Sequence, residues 1–184
     1  MARTILKSRR RVYLALAAVG LLALIAVGTA YAITSSSFKY SSTKTGYLSV
    51  SPMDFIPDSP NTTYFTSWTG GLTDSGDECF NAGINLPSGS KVKQITFYYS
   101  SGPASDFFGR FIRMRGPIGT GIDITGFATP GNDTGTPSSI TRNVGAANQN
   151  VNNNQFSYGI GVCPGTDGEF YGARVKYTYK NAGS

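Results

Sequence analysis

Asp74, Asp77 and Glu78, in the run TDSGDE, are the tightest cluster of carboxylates in the chain. Several such oxygens could hold a calcium ion, although their spacing departs from the EF-hand loop and the flanking Ser75 and Gly76 suit a solvated turn. Calcium at these three acids is the one cofactor the sequence suggests. The chain has no histidine, which removes the commonest general base and the commonest zinc ligand together. Ser-His-Asp and Cys-His nucleophiles are therefore excluded. The chain has ten acids, and any two could face each other as glycosidases require, but no pair stands out. The Gly-rich run Gly116 to Gly121 lacks the Lys and Ser/Thr of a phosphate loop and reads as a hairpin connection. No catalytic residue is assigned, and the expectation is a protein that is not an enzyme.

Aromatic and basic side chains offer a different chemistry. Tyr64, Trp68 and Tyr98 are less clearly inward than the other aromatics, and rings exposed on a sheet can stack on sugars. Arg113, Arg115, Arg174 and Lys176 fall on the phases read as outward. With Tyr98 they would make a basic, aromatic face if their strands are neighbours. The leading expectation is a secreted or cell-surface β-sandwich with a structural or adhesive role, partnered by a glycan or another cell-envelope component. The alternative is a carbohydrate-binding module that uses these exposed aromatics.

These residues must be positioned by strands. Phe80, Ala82, Ile84 and Leu86 alternate with Asn81, Gly83 and Asn85, and after the turn at Pro87-Ser88-Gly89, Ile95, Phe97 and Tyr99 alternate with Gln94, Thr96 and Tyr98. Similar runs cover 47–51, 64–68, 108–115, 122–128, 155–163 and 170–179, with 140–143 a weaker candidate. In the last run Tyr171, Ala173, Val175, Tyr177 and Tyr179 are placed inward, and Phe170, Arg174, Lys176 and Thr178 outward. Repeated period-two segments with one wet face predict an all-β fold, an antiparallel β-sandwich of jelly-roll or Ig-like type, over residues 47–180. Residues 33–46, rich in Ser and Thr, read as a linker.

Ahead of the linker, residues 1–11 are basic, and the run from Val12 to Ala32 is apolar and uncharged. Residues 1–32 are expected to be a Sec-type signal peptide, with Ala30 and Ala32 as the small residues of the cleavage site. The alternative is a retained N-terminal membrane anchor helix, since residues 12–32 are long enough to span a bilayer. The net charge of +6 is misleading. Five of its cations precede the apolar run, which leaves eleven Lys and Arg against ten Asp and Glu in the remainder. That balance excludes a nucleic-acid partner.

Cys79 and Cys163 are the only cysteines. In an exported chain they are expected to form one disulfide. Cys79 opens one strand and Cys163 closes another, which places those strands side by side in an antiparallel sheet.

Ile84-Asn85-Leu86-Pro87-Ser88-Gly89 running into Ile95-Thr96-Phe97-Tyr98-Tyr99, with the closing Phe170-Tyr171-Gly172-Ala173-Arg174-Val175-Lys176-Tyr177-Thr178-Tyr179, resembles a recurrent kind of secreted bacterial β-sandwich protein. The resemblance covers roughly residues 47–179 and implies architecture but no activity. Such proteins usually carry Asp or Asn soon after the aromatic strand, where this chain has Ser100-Ser101-Gly102.

Overall fold

Alternating apolar and polar side chains sort this chain into two sheets. The structure, a computed structural model, describes residues 38–60, 63–66, 70–74, 78–102, 106–116, 120–129 and 136–182. Residues 39–184 form one compact unit. The expected leader, with Ala30 and Ala32, lies outside the described residues, as do Trp68 and Asp77. No helix among the described residues is long and apolar enough to cross a membrane.

The described strands are β1 (Phe38–Val50), β2 (Ile56–Pro57), β3 (Tyr64–Thr66), β4 (Leu72–Asp74), β5 (Phe80–Ile84), β6 (Lys91–Ser100), β7 (Phe107–Arg115), β8 (Thr120–Thr129), β9 (Ser138–Asn143), β10 (Phe156–Cys163) and β11 (Glu169–Ala182). One sheet has six strands in the order β3-β4-β11-β6-β9, with β1 also paired to β11, and the other has five in the order β2-β5-β10-β7-β8. The result is an antiparallel β-sandwich. Its core is built from the inward phases: Phe80 and Ile84 on β5, Ile95 and Phe97 on β6, Phe107 and Phe111 on β7, Ile160 and Val162 on β10, and Phe170 and Val175 on β11. Rings join the two sheets. Tyr99 stacks on Phe107 with centroids 4.3 Å apart, and Phe97 meets Phe127 at 5.1 Å. Each such ring removed from water contributes roughly 1.5–3 kcal/mol.

The Pro87-Ser88-Gly89 turn carries the chain from β5 in one sheet to β6 in the other. Gly89 sits at φ 78°, and the Ser90 amide donates to the Pro87 carbonyl at 3.0 Å. Cys79 and Cys163 form the expected disulfide, and β5 and β10 are antiparallel neighbours with Val162 opposite Phe80.

Four features differ from the sequence reading. Strand β1 starts at Phe38, so most of the Ser/Thr-rich stretch is an edge strand on β11 rather than a linker. Strands β2 and β4 are two and three residues long, too short to show a period. Strand β7 faces the other way: Phe107 and Phe111 are both 0% exposed, so Arg113 and Arg115 share the core-facing phase while Ile112 and Met114 face outward. Strand β11 has a bulge between Phe170 and Gly172, so Phe170, at 0% exposure, points inward and Tyr171 does not. Gly172 makes the bulge possible at φ 130°, a conformation that penalises residues with a Cβ.

Candidate functional site

The outer face of the six-stranded sheet collects aromatic, basic and amide side chains. Register sets them in rows across β11, β6 and β9. Lys176 is opposite Gln94, which is opposite Asn143; Arg174, Thr96 and Thr141 form the next row; Gly172, Tyr98 and Ser139 the third. Two rows are tied by cross-strand hydrogen bonds. The Gln94 amide donates to Asn143 Oδ1 at 3.0 Å, and Thr96 Oγ1 lies 2.8 Å from Thr141 Oγ1. Cross-strand pairs of this kind stiffen a sheet face.

Arg174 stands among rings. Its guanidinium carbon is 5.4 Å from the centroid of Tyr47, which is 57% exposed, and 6.0 Å from that of Tyr98. Tyr98 and Tyr171 together border two shallow depressions. One, of about 450 Å³, continues along Ser49–Pro52, Asp54 and Arg174; the other, of about 470 Å³, along Pro137–Ser139. The bulge at Gly172 brings Tyr171 to this place. Its hydroxyl donates to Glu169 Oε2 at 3.0 Å and lies 3.2 Å from Ser100 Oγ. Burial pushes the Tyr171 phenol above its ordinary value, the hydrogen bond with Ser100 opposes this, and the hydrogen bond and charge of Glu169 add to it. Asp54 caps a single 3₁₀ turn by accepting from the Ser51 amide at 2.9 Å.

The outer face of the five-stranded sheet is different. A groove of about 600 Å³ crosses it, lined by Ile56, Asn81, Gly83, Arg110, Ile112, Met114, Gly121, Asp123 and Gly159 among others. Its floor is low because Gly83 and Gly159 stand opposite each other on β5 and β10. Its walls are largely aliphatic.

The expected basic, aromatic face is thus divided. Tyr98, Arg174 and Lys176 share the six-stranded sheet, while Arg113 and Arg115 belong to the other. The Arg113 guanidinium carbon lies 4.7 Å from the Phe156 ring centroid and its Nε is buried without a partner. Tyr64 is on the short strand β3, with its ring edge against Phe80 at 5.5 Å, away from Tyr98's rows. Trp68 is outside the described residues. So are Asp77 and the side chain of Asp74, which leaves Glu78 alone of the calcium candidates. Among the described residues no group of three or more His, Cys, Asp or Glu could hold a metal ion. Sequence reasoning missed Tyr47 and Tyr171. A glycine inside the closing strand was the available signal for the bulge.

No protein-family model matches the sequence, and no curated protein does. Among solved structures, the C-terminal CBM6 of LamC, a marine laminarinase from Zobellia galactanivorans, is similar at 17% identity and a TM-score of 0.46, covering 71% of this chain and 98% of its own. A xylan-binding module, CBM15, is similar at 14% identity and a TM-score of 0.47, covering 73% and 97%. The CBM22-1–GH10 modules of Clostridium thermocellum xylanase 10B are similar at 11% identity and a TM-score of 0.49, covering 72% of this chain and 27% of theirs.

Proposed function

We propose that this chain is a non-enzymatic, secreted or cell-surface β-sandwich that binds an extracellular glycan on the outer face of its six-stranded sheet. Adhesion is the role such binding would serve. The observation that carries the reading is the placement of Tyr98: its ring lies beside the Arg174 guanidinium, with a depression on either side and a ladder of amide and hydroxyl groups alongside. A ring supplies an apolar platform for the C–H face of a sugar, and planar amide and guanidinium groups hydrogen-bond its hydroxyls. Of the two depressions, only the one along Ser49–Pro52 has a carboxylate in its lining, Asp54, and that acid is engaged in its cap. Hydrolysis of a glycoside needs two facing acids, which favours binding over cleavage.

Export is supported by the Cys79–Cys163 bond, since such bonds persist in oxidising compartments, and by the basic and apolar leader sequence. On this reading the chain is one of the secreted bacterial β-sandwich proteins whose strand motifs it resembles. A glycan array probed with the full-length chain and with Tyr98→Ala tests the proposal: binding that disappears in the variant supports it, and an array on which wild type binds nothing contradicts it.

A further inference from the structure

The groove on the five-stranded sheet lies on the opposite side of the sandwich from Tyr98 and has its own chemistry. Register arranges its residues in two central rows. Ile56 is opposite Asn81, which is opposite Gly161, which is opposite Arg110; in the adjoining row Gly83, Gly159, Ile112 and Asp123 follow one another. The lining reaches from β2 to β8, so the groove crosses all five strands, roughly 19 Å at about 4.8 Å per strand.

Two glycines in these rows have different causes. A Cβ on Gly161 would lie 2.6 Å from Arg110 Nε and 2.9 Å from Asn81 Oδ1, so its absence lets both polar side chains fold over β10 toward each other. A Cβ on Gly83 would meet nothing within 4 Å, and its backbone is not in the left-handed region. Neither packing nor strain calls for glycine there, yet glycine weakens a strand interior. What it provides is an open trough in the middle of a sheet face, where a ligand can approach the backbone closely.

Among the described residues, nothing pairs with the Asn81 and Arg110 side chains in this trough. Asn81 Oδ1 is buried without a hydrogen-bond partner, and the Arg110 guanidinium has no ion-pair or hydrogen-bond partner among the described residues. A buried acceptor without a donor is costly and calls for a ligand O–H or N–H. An unpaired guanidinium fork fits a carboxylate. Asp123 is exposed opposite Ile112, where it can accept from hydroxyls, and Ile56, Ile112 and Met114 present aliphatic surface.

We propose that this groove is a second binding site, for an acidic polysaccharide. Its uronate carboxylate pairs with Arg110, a neighbouring hydroxyl donates to Asn81, and its C–H faces lie over Ile112 and Met114. A neutral glycan would leave Arg110 unpaired. The site is independent of the Tyr98 face.

Titration calorimetry of the full-length chain with oligogalacturonate, and with the same oligomer methyl-esterified, tests the proposal. The expected results are binding of the free acid that weakens with salt, at least tenfold weaker binding of the ester, and a loss of tenfold or more in Arg110→Gln. Gly83→Val fills the trough without backbone strain and should abolish binding while leaving the melting temperature close to wild type. Tyr98→Ala should leave oligogalacturonate binding unchanged, which separates failure here from failure at the other face. Equal affinity for acid and ester, an unaffected Arg110→Gln, tighter binding of an acidic peptide than of the uronate, or no uronate binding at millimolar concentration would each overturn it.

Discussion

Arg174 and Tyr98 are diagonal neighbours on β11 and β6, with the guanidinium carbon 6.0 Å from the ring centroid. Tyr98 is half-buried at the surface, and a cation at this range from such a ring contributes about 0.5–1 kcal/mol, enough to restrain a rotamer but too little to affect the fold. The pair is therefore a feature of the face more than of the core. Arg174→Ala is expected to change unfolding free energy by no more than about 1 kcal/mol. Glycan affinity should fall severalfold in the same variant. Chemical denaturation and calorimetry on one preparation read both, and a large loss of stability with intact binding would reverse the assignment.

The bulge in β11 makes adjacent residues unequal. Phe170 packs fully buried, with its ring 4.9 Å from Phe55, whereas Tyr171 is half-exposed at the edge of a depression. Phe170→Ala should cost about 3–5 kcal/mol, and Tyr171→Phe about 1 kcal/mol or less through its hydroxyl bonds. Gly172→Ala should also destabilise, because its Cβ would stand 2.9 Å from the Val50 carbonyl in a conformation that disfavours it. Urea titrations rank the three, and a Tyr171 cost above that of Phe170 would mean the bulge is absent.

Crosslinking of Cys79 to Cys163 closes a sequence separation of 84 residues. In the chain-entropy account this stabilises by about 4.5 kcal/mol. Unreduced mass spectrometry should find the two cysteines joined. Cys79→Ser with Cys163→Ser should lower the denaturation midpoint accordingly, and an unchanged midpoint would show that the bond adds nothing to the fold.

Burial and Glu169 raise the Tyr171 phenol above its ordinary value of 10.0. The folded chain then holds this proton more tightly than the unfolded chain. The associated stability is fully present below the ordinary value and is lost as pH rises through the higher folded one. Wild type should therefore lose stability more steeply than Tyr171→Phe as pH climbs from 10.0. Denaturation midpoints taken at intervals above that pH check the slope, and identical slopes contradict it.

How far the fold was legible depended on each strand's own pattern. Phe80-Ala82-Ile84 and Ile95-Phe97-Tyr99 carry apolar residues on one phase only, and both proved correctly oriented. The cysteines correctly placed β5 beside β10. Strand β7 was ambiguous because both phases are apolar, with Phe107 and Phe111 on one and Phe108, Ile112 and Met114 on the other. Only packing against Phe127 and Tyr158 decides between them. Arg113 and Arg115 miss the expected face on two counts: their phase turns toward the core, and β7 belongs to the five-stranded sheet while β6 and β11 belong to the other. The groove was hidden for a related reason: Gly83 and Gly159 each read as ordinary wet positions, and they become a trough only when strand order sets them side by side next to Ile112.

The most direct measurement is calorimetric titration of the full-length chain and of Tyr98→Ala with whichever glycan the wild type selects on an array. A loss of at least tenfold in affinity, with the melting temperature held within a few degrees, is the predicted result. Unchanged affinity in Tyr98→Ala would contradict glycan recognition on this face.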